Sequence, residues 1–124
     1  MERIKDTLNY LSCLKFEIIE QIIILDERFL KNSKKGVEPD KQNEYITYNI
    51  LVQYIDYLIN YILEIDISNY DENEIIKKIK NELKKYEKCF NINFNKLLDE
   101  KHYCKYTHLF ESDVDFFRKE MELS

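Results

Sequence analysis

Glycine and proline are almost missing from this chain: of 124 residues one is Gly (Gly36), one is Pro (Pro39), and tryptophan is absent. A β-sandwich or barrel needs such residues at its many turns, so their scarcity argues against an all-β architecture. It also removes the glycine-rich phosphate loops of nucleotide-binding enzymes, which need several glycines for close backbone approach. Alanine is missing as well, while Ile, Lys, Asn and Tyr abound. That is the bias of an AT-rich coding sequence, and it points to a low-GC bacterium or to one of its phages or mobile elements.

Other shortages narrow the class. Cys13, Cys89 and Cys104 are odd in number and widely spaced, and so make no disulfide framework. The charged N-terminus MERIKDTLNY runs directly into an amphipathic pattern, which predicts no signal peptide. The most apolar stretch, residues 45–65, is interrupted by Gln53, Asp56, Asn60 and Glu64, so no membrane span is expected. A cytoplasmic protein with reduced thiols follows. Arginine is limited to Arg3, Arg28 and Arg118, and the net charge is -5, both against a dedicated nucleic-acid binder.

What remains is 44% apolar and 35% charged, the balance of a globular helical domain. The length suits one domain over residues 1–124. Ile4, Leu8, Leu11, Lys15, Ile18, Ile22, Leu25 and Phe29 recur at steps of three and four, a heptad-like seam with one interruption. Lys34, Lys35 and Gly36 predict a helix stop, and Pro39 suits the first turn of a second helix. A long antiparallel hairpin over 3–66 is therefore expected. Asp71 and Glu74 make a candidate capping box for a third helix over 71–90, with Ile75, Ile76, Ile79, Leu83, Tyr86 and Phe90 on its apolar face. Phe90, Ile92 and Phe94 alternate with asparagines and read as a connector. C-terminal helices are expected over 95–122, the last opened by a capping box of Ser112 and Asp115. The expected fold is an all-α bundle of four to five helices built on the hairpin.

The second helix carries the functional expectation. Tyr48, Val52, Ile55, Ile59 and Ile62 form a core-type stripe, and Ile50, Tyr54, Tyr57 and Tyr61 form a second one almost opposite. A helix apolar on most of its circumference must be covered on most of it. Either this helix lies at the centre of the bundle, or the tyrosine face meets another subunit or a protein partner, a role that suits tyrosine's large area and polar tip. The latter predicts a non-enzymatic, cofactor-free interaction module that binds a protein and itself, such as an inhibitor, immunity-type or accessory protein.

Two alternatives stand beside it. Lys77, Lys78, Lys80, Lys84, Lys85 and Lys88 give the third helix a basic face that could follow a phosphate backbone, or could simply be solvated. His102, Cys104 and His108 supply zinc-type ligands, with Glu100 or Glu111 as a fourth. On an unbroken helix, however, His102 lies about 160° from Cys104, so the three converge only if the chain bends. Neither a thiolate-stabilising environment for Cys104 nor a Ser/His/Asp arrangement is evident, so no enzyme is expected.

Overall fold

A computed structural model describes residues 2–31, 39–99 and 114–123. Five α-helices make up these residues: α1 (Glu2–Lys31), α2 (Pro39–Glu64), α3 (Glu72–Phe90), α4 (Phe94–Leu98) and α5 (Asp115–Glu122), with no strand among them. The expected all-α bundle is the fold. No helix of the described residues is long and apolar enough to cross a membrane.

The hairpin of α1 and α2 is antiparallel. Lys15 Nζ meets Asp56 Oδ1 at 2.6 Å, while Phe29 packs edge-on against Tyr45 with centroids 5.3 Å apart. As the number rises in one helix it falls in the other. At 1.5 Å per residue α1 is about 45 Å long, and Arg28 and Lys31 in its last turn favour the negative end of the helix dipole. The predicted stop at Lys34, Lys35 and Gly36 lies outside the described residues. Pro39 opens α2, where its fixed φ suits the first turn and its missing N–H is not needed.

After α2, the Asp66 carboxylate accepts from the Ser68 amide at 3.2 Å, from the Ser68 hydroxyl at 2.6 Å and from the Asn69 side chain at 2.9 Å. This local network competes with helix continuation and fixes a short 3₁₀ turn at Ile67–Asn69. Asp71 then caps α3, but not through the expected capping box with Glu74. Its side chain accepts from the Asn73 amide at 3.1 Å, not from the Glu74 amide, which bonds the Asp71 carbonyl instead.

The alternation of asparagines in "NINFN" resolves into three different tasks. Asn91 sits in the left-handed region (φ 53°) and ends α3, with the Ile92 amide folded back onto the Glu87 carbonyl at 3.1 Å. Asn93 caps α4 by accepting from the Lys96 amide at 2.9 Å. Asn95 ties elements together: its Oδ1 accepts from the Tyr10 hydroxyl and its Nδ2 donates to the Arg118 carbonyl, both at 2.9 Å. The segment is thus a stop, a start and a clamp. The last helix departs from expectation: Asp115 is its first residue, and Val114 before it makes no side-chain cap bond. A Ser112 cap would place Asp115 two positions further in.

The central helix is α1, which packs against each of the other four, whereas α2 packs mainly on α1 and α3. Two faces of α1 are buried in consequence. Ile4, Leu11, Ile18 and Leu25 follow the predicted seam, and Tyr10, Cys13, Leu14 and Glu17 are buried on flanking positions. Tyr10 is fully covered, with its ring 4.8 Å from that of Phe117 on α5. Lys15, the interruption in the seam, lies on its outer edge, away from the flanking positions, and reaches Asp56. At about one-third to one-half exposure for the two side chains, that pair adds no more than about 1 kcal/mol.

Candidate interaction surface

The core face of α2 is set by Leu51, Ile55, Leu58 and Ile62, all buried. Turning about 100° per residue from that face brings a second row round to the outside. Ile46, Ile50, Tyr54, Tyr57 and Tyr61 follow one another at steps of four, four, three and four, which keeps them on one side of a helix. The row runs about 22 Å along the axis.

Its members differ in environment. Tyr57 is 65% exposed, Ile46 48% and Tyr54 42%, while Ile50 and Tyr61 are half-buried. Partial cover comes from α3. The ring of Tyr54 lies 5.0 Å from Tyr86 and 6.2 Å from Phe90, both tilted contacts, and Lys78 Nζ stands 4.3 Å from the centre of the Tyr61 ring. These are ordinary aromatic and cation–π geometries. α2 is not the centre of the bundle, a place taken by α1; α3 shields one edge of the row, and Tyr57 and Ile46 project from the other. Ile46 extends the predicted stripe by one turn before Ile50, two turns ahead of its first tyrosine.

Tyr86 is the electrostatically distinctive member of the aromatic group. Burial pushes its phenol up to about 12, and the carboxylate of Glu82 adds to this by accepting its proton in a 3.2 Å hydrogen bond and repelling a phenolate. The neighbouring Tyr54 and Tyr57 act in the same direction. Tyr86 is thus a neutral donor pinned to its own helix, and it holds the plane on which Tyr54 rests.

The six lysines proposed as a basic face do not act alike. Lys78 is drawn over Tyr61. Lys80 turns towards α5, with Nζ 4.0 Å from Glu120 Oε2. Lys84 donates to the Met121 carbonyl and stands 3.8 Å from Glu87 Oε1. Lys77, Lys85 and Lys88 are exposed and form no ion pair among the described residues. Tertiary contacts thus divide the row, which helix periodicity alone had left whole.

The histidine–cysteine cluster of His102, Cys104 and His108 lies outside the described residues, as do Glu100 and Glu111. Among the described residues no group of three or more His, Cys, Asp or Glu side chains is arranged to hold a metal ion. The two described cysteines are unlike: Cys13 is buried and Cys89 exposed, and neither forms a disulfide among the described residues. No protein-family model, no curated protein and no solved structure matches the chain.

Proposed function

We propose that this chain is a non-enzymatic interaction protein that binds a protein partner, and associates with itself, through the outer row of α2. In this role it is an inhibitor, immunity-type or accessory factor of a low-GC bacterium or one of its mobile elements. The observation that carries the proposal is the exposure of Tyr57 (65%) and Ile46 (48%) on the same side of one helix as Tyr54 (42%). Large apolar side chains in a continuous row are costly to leave in water, and tyrosine contributes contact area with little rotamer entropy to lose.

Magnitudes bound what the row can do. A stripe about 22 Å long and roughly one helix wide covers a few hundred Å², the size range of patches that mark interaction sites. A stable complex buries about 800 Å² per partner, so the row is the apolar centre of an interface whose rim is polar. Gln53, Asn60 and Glu64 on α2 supply one side of that rim. Exposed Ile23, Ile24 and Leu30 in the second half of α1 add further apolar area on the hairpin. A nucleic-acid role is less well supported, because Lys78, Lys80 and Lys84 make contacts within the fold.

The test is a variant carrying Ile46→Ser and Tyr57→Ser, two positions with little packing to lose. Sedimentation velocity over a concentration series, and purification of the wild type from its native host, read the association. The wild type is expected above the monomer mass or in a defined complex, and the variant as a partner-free monomer of unchanged helicity by circular dichroism. A wild type that stays monomeric and binds nothing, or a variant that associates equally well, refutes the proposal.

A further inference from the structure

A cleft of about 560 Å³ opens where the first turn of α1, the N-terminal two-thirds of α3 and the last helix meet, well apart in sequence from the outer row of α2. Its walls are unlike the rest of the molecule. Arg3, Lys77, Lys80 and Lys84 bring four cations to it, against the single carboxylate of Glu120. A local surplus of positive charge in a chain of net charge -5 is a specific accumulation, not an overall trend. Lys77, Lys80 and Lys84 stand at i, i+3 and i+7, one row on α3 spanning about 10 Å. Arg3 faces that row from α1. Its guanidinium is oriented, with Nη1 donating to Asn73 Oδ1 at 3.2 Å and Cζ 5.5 Å from the centre of the Phe116 ring.

The cations are available to a ligand to different degrees. Lys77 forms no ion pair among the described residues, and Lys80 meets Glu120 only at 4.0 Å, the outer limit of an ion pair. Lys84 is anchored on the Met121 carbonyl and stands 3.8 Å from Glu87 Oε1, which offsets its charge. Ile76, Phe116 and Leu123 give the lining its apolar part, beside the side-chain amides of Asn73 and Asn81. A cavity of this size, mostly apolar with a few convergent charges, matches the usual form of a small-ligand site. Its charge selects an anion of more than one unit, and its apolar wall selects an organic body attached to that anion.

We infer that this cleft binds a phosphorylated organic molecule of mononucleotide size. The phosphoryl oxygens lie between Arg3, Lys77 and Lys80, displacing Glu120 from Lys80, and the organic body packs against Ile76, Phe116 and Leu123. Charge-assisted hydrogen bonds from a guanidinium and two ammonium groups are the strong polar contacts of such a site. A concave site of this kind receives one small phosphorylated molecule, whereas a duplex backbone needs cations along an open track.

The probe is ADP, with adenosine and pyrophosphate as the two half-ligands, titrated by calorimetry and by backbone amide NMR shifts. ADP is expected to bind saturably, one per chain, at least about tenfold more tightly than either half-ligand, and to move amides within 73–84 and 115–123. Lys77→Gln with Lys80→Gln should weaken ADP about tenfold or more, while the Lys→Arg pair retains binding. Glu120→Gln should tighten it, because it removes the competing carboxylate; a purely structural role for Glu120 would not give that sign. The amide map of the wild type decides the matter even if a variant folds poorly. Absence of ADP binding at millimolar concentration, pyrophosphate binding as tightly as ADP, shifts centred elsewhere, or affinity found only for oligonucleotides would each overturn the assignment.

Discussion

The hydroxyl of Tyr10 donates to Asn95 Oδ1 at 2.9 Å, joining positions 85 apart in sequence inside the bundle. Asn95 completes its amide by donating to the Arg118 carbonyl at 2.9 Å, so one side chain links α1, α4 and α5. The Tyr10 ring, fully buried, packs 4.8 Å from Phe117. Removing the hydroxyl alone leaves the amide oxygen short of a donor in a partly buried site. Tyr10→Phe is therefore expected to cost about 1–2 kcal/mol in urea unfolding. Tyr10→Ala should cost about 3–5 kcal/mol, because a cavity is added to the lost bond. Equal stability of Tyr10→Phe and wild type would mean that the contact makes no net contribution.

Tyr86 predicts an alkaline signature. Its phenol is raised from 10.0 to about 12 by burial first and by Glu82 second. A raised folded-state value means that the folded chain holds a proton the unfolded chain has already lost. The associated stability is complete below about pH 10 and falls as pH rises towards 12. Phenolate absorbance should display a late-titrating component that is absent in Tyr86→Phe and shifted earlier in Glu82→Gln. Stability of the wild type should fall more steeply over that window than that of Tyr86→Phe.

The thiols offer a probe of the core. Cys89 is exposed and Cys13 buried, so Cys89 should alkylate rapidly under native conditions, and Cys13 only on the timescale of opening. Peptide mass mapping separates the two. Rapid native labelling of Cys13 would contradict the double-sided burial of α1.

Chain-reversal residues can be tested singly. Asn91 holds φ 53°, a conformation that costs a residue with an ordinary Cβ about 1–2 kcal/mol. Asn91→Ala should destabilise by about 1 kcal/mol, and Asn91→Gly should be neutral or slightly stabilising. Asp71→Ala, which removes the cap of α3, should cost about 1 kcal/mol by thermal or urea unfolding. The reverse ordering at Asn91 would mean that its side chain, not its backbone, is what the turn needs.

Much of this molecule is legible one residue at a time. The shortage of glycine and proline, with apolar residues at steps of three and four, determines an all-helical chain, because that spacing has a buried face only when wound at 3.6 residues per turn. Pro39, Asp66, Asp71 and the asparagines 91 and 93 mark starts and stops through contacts with their immediate neighbours. Such contacts depend on local sequence, which reveals Pro39 and Asp71 as helix starts but gives the asparagines of 91–95 only as a connector. What periodicity cannot say is which neighbour covers a face, or whether one does. The structure made α1 the central helix, buried Tyr10, Cys13 and Glu17 beside the expected seam, and let α3 cover Tyr54 but not Tyr57. It also divided one run of lysines between a tyrosine ring, the last helix and open solvent. These outcomes depend on contacts between segments tens of residues apart, where burial of one face competes with burial of another, and only the assembled bundle decides between them.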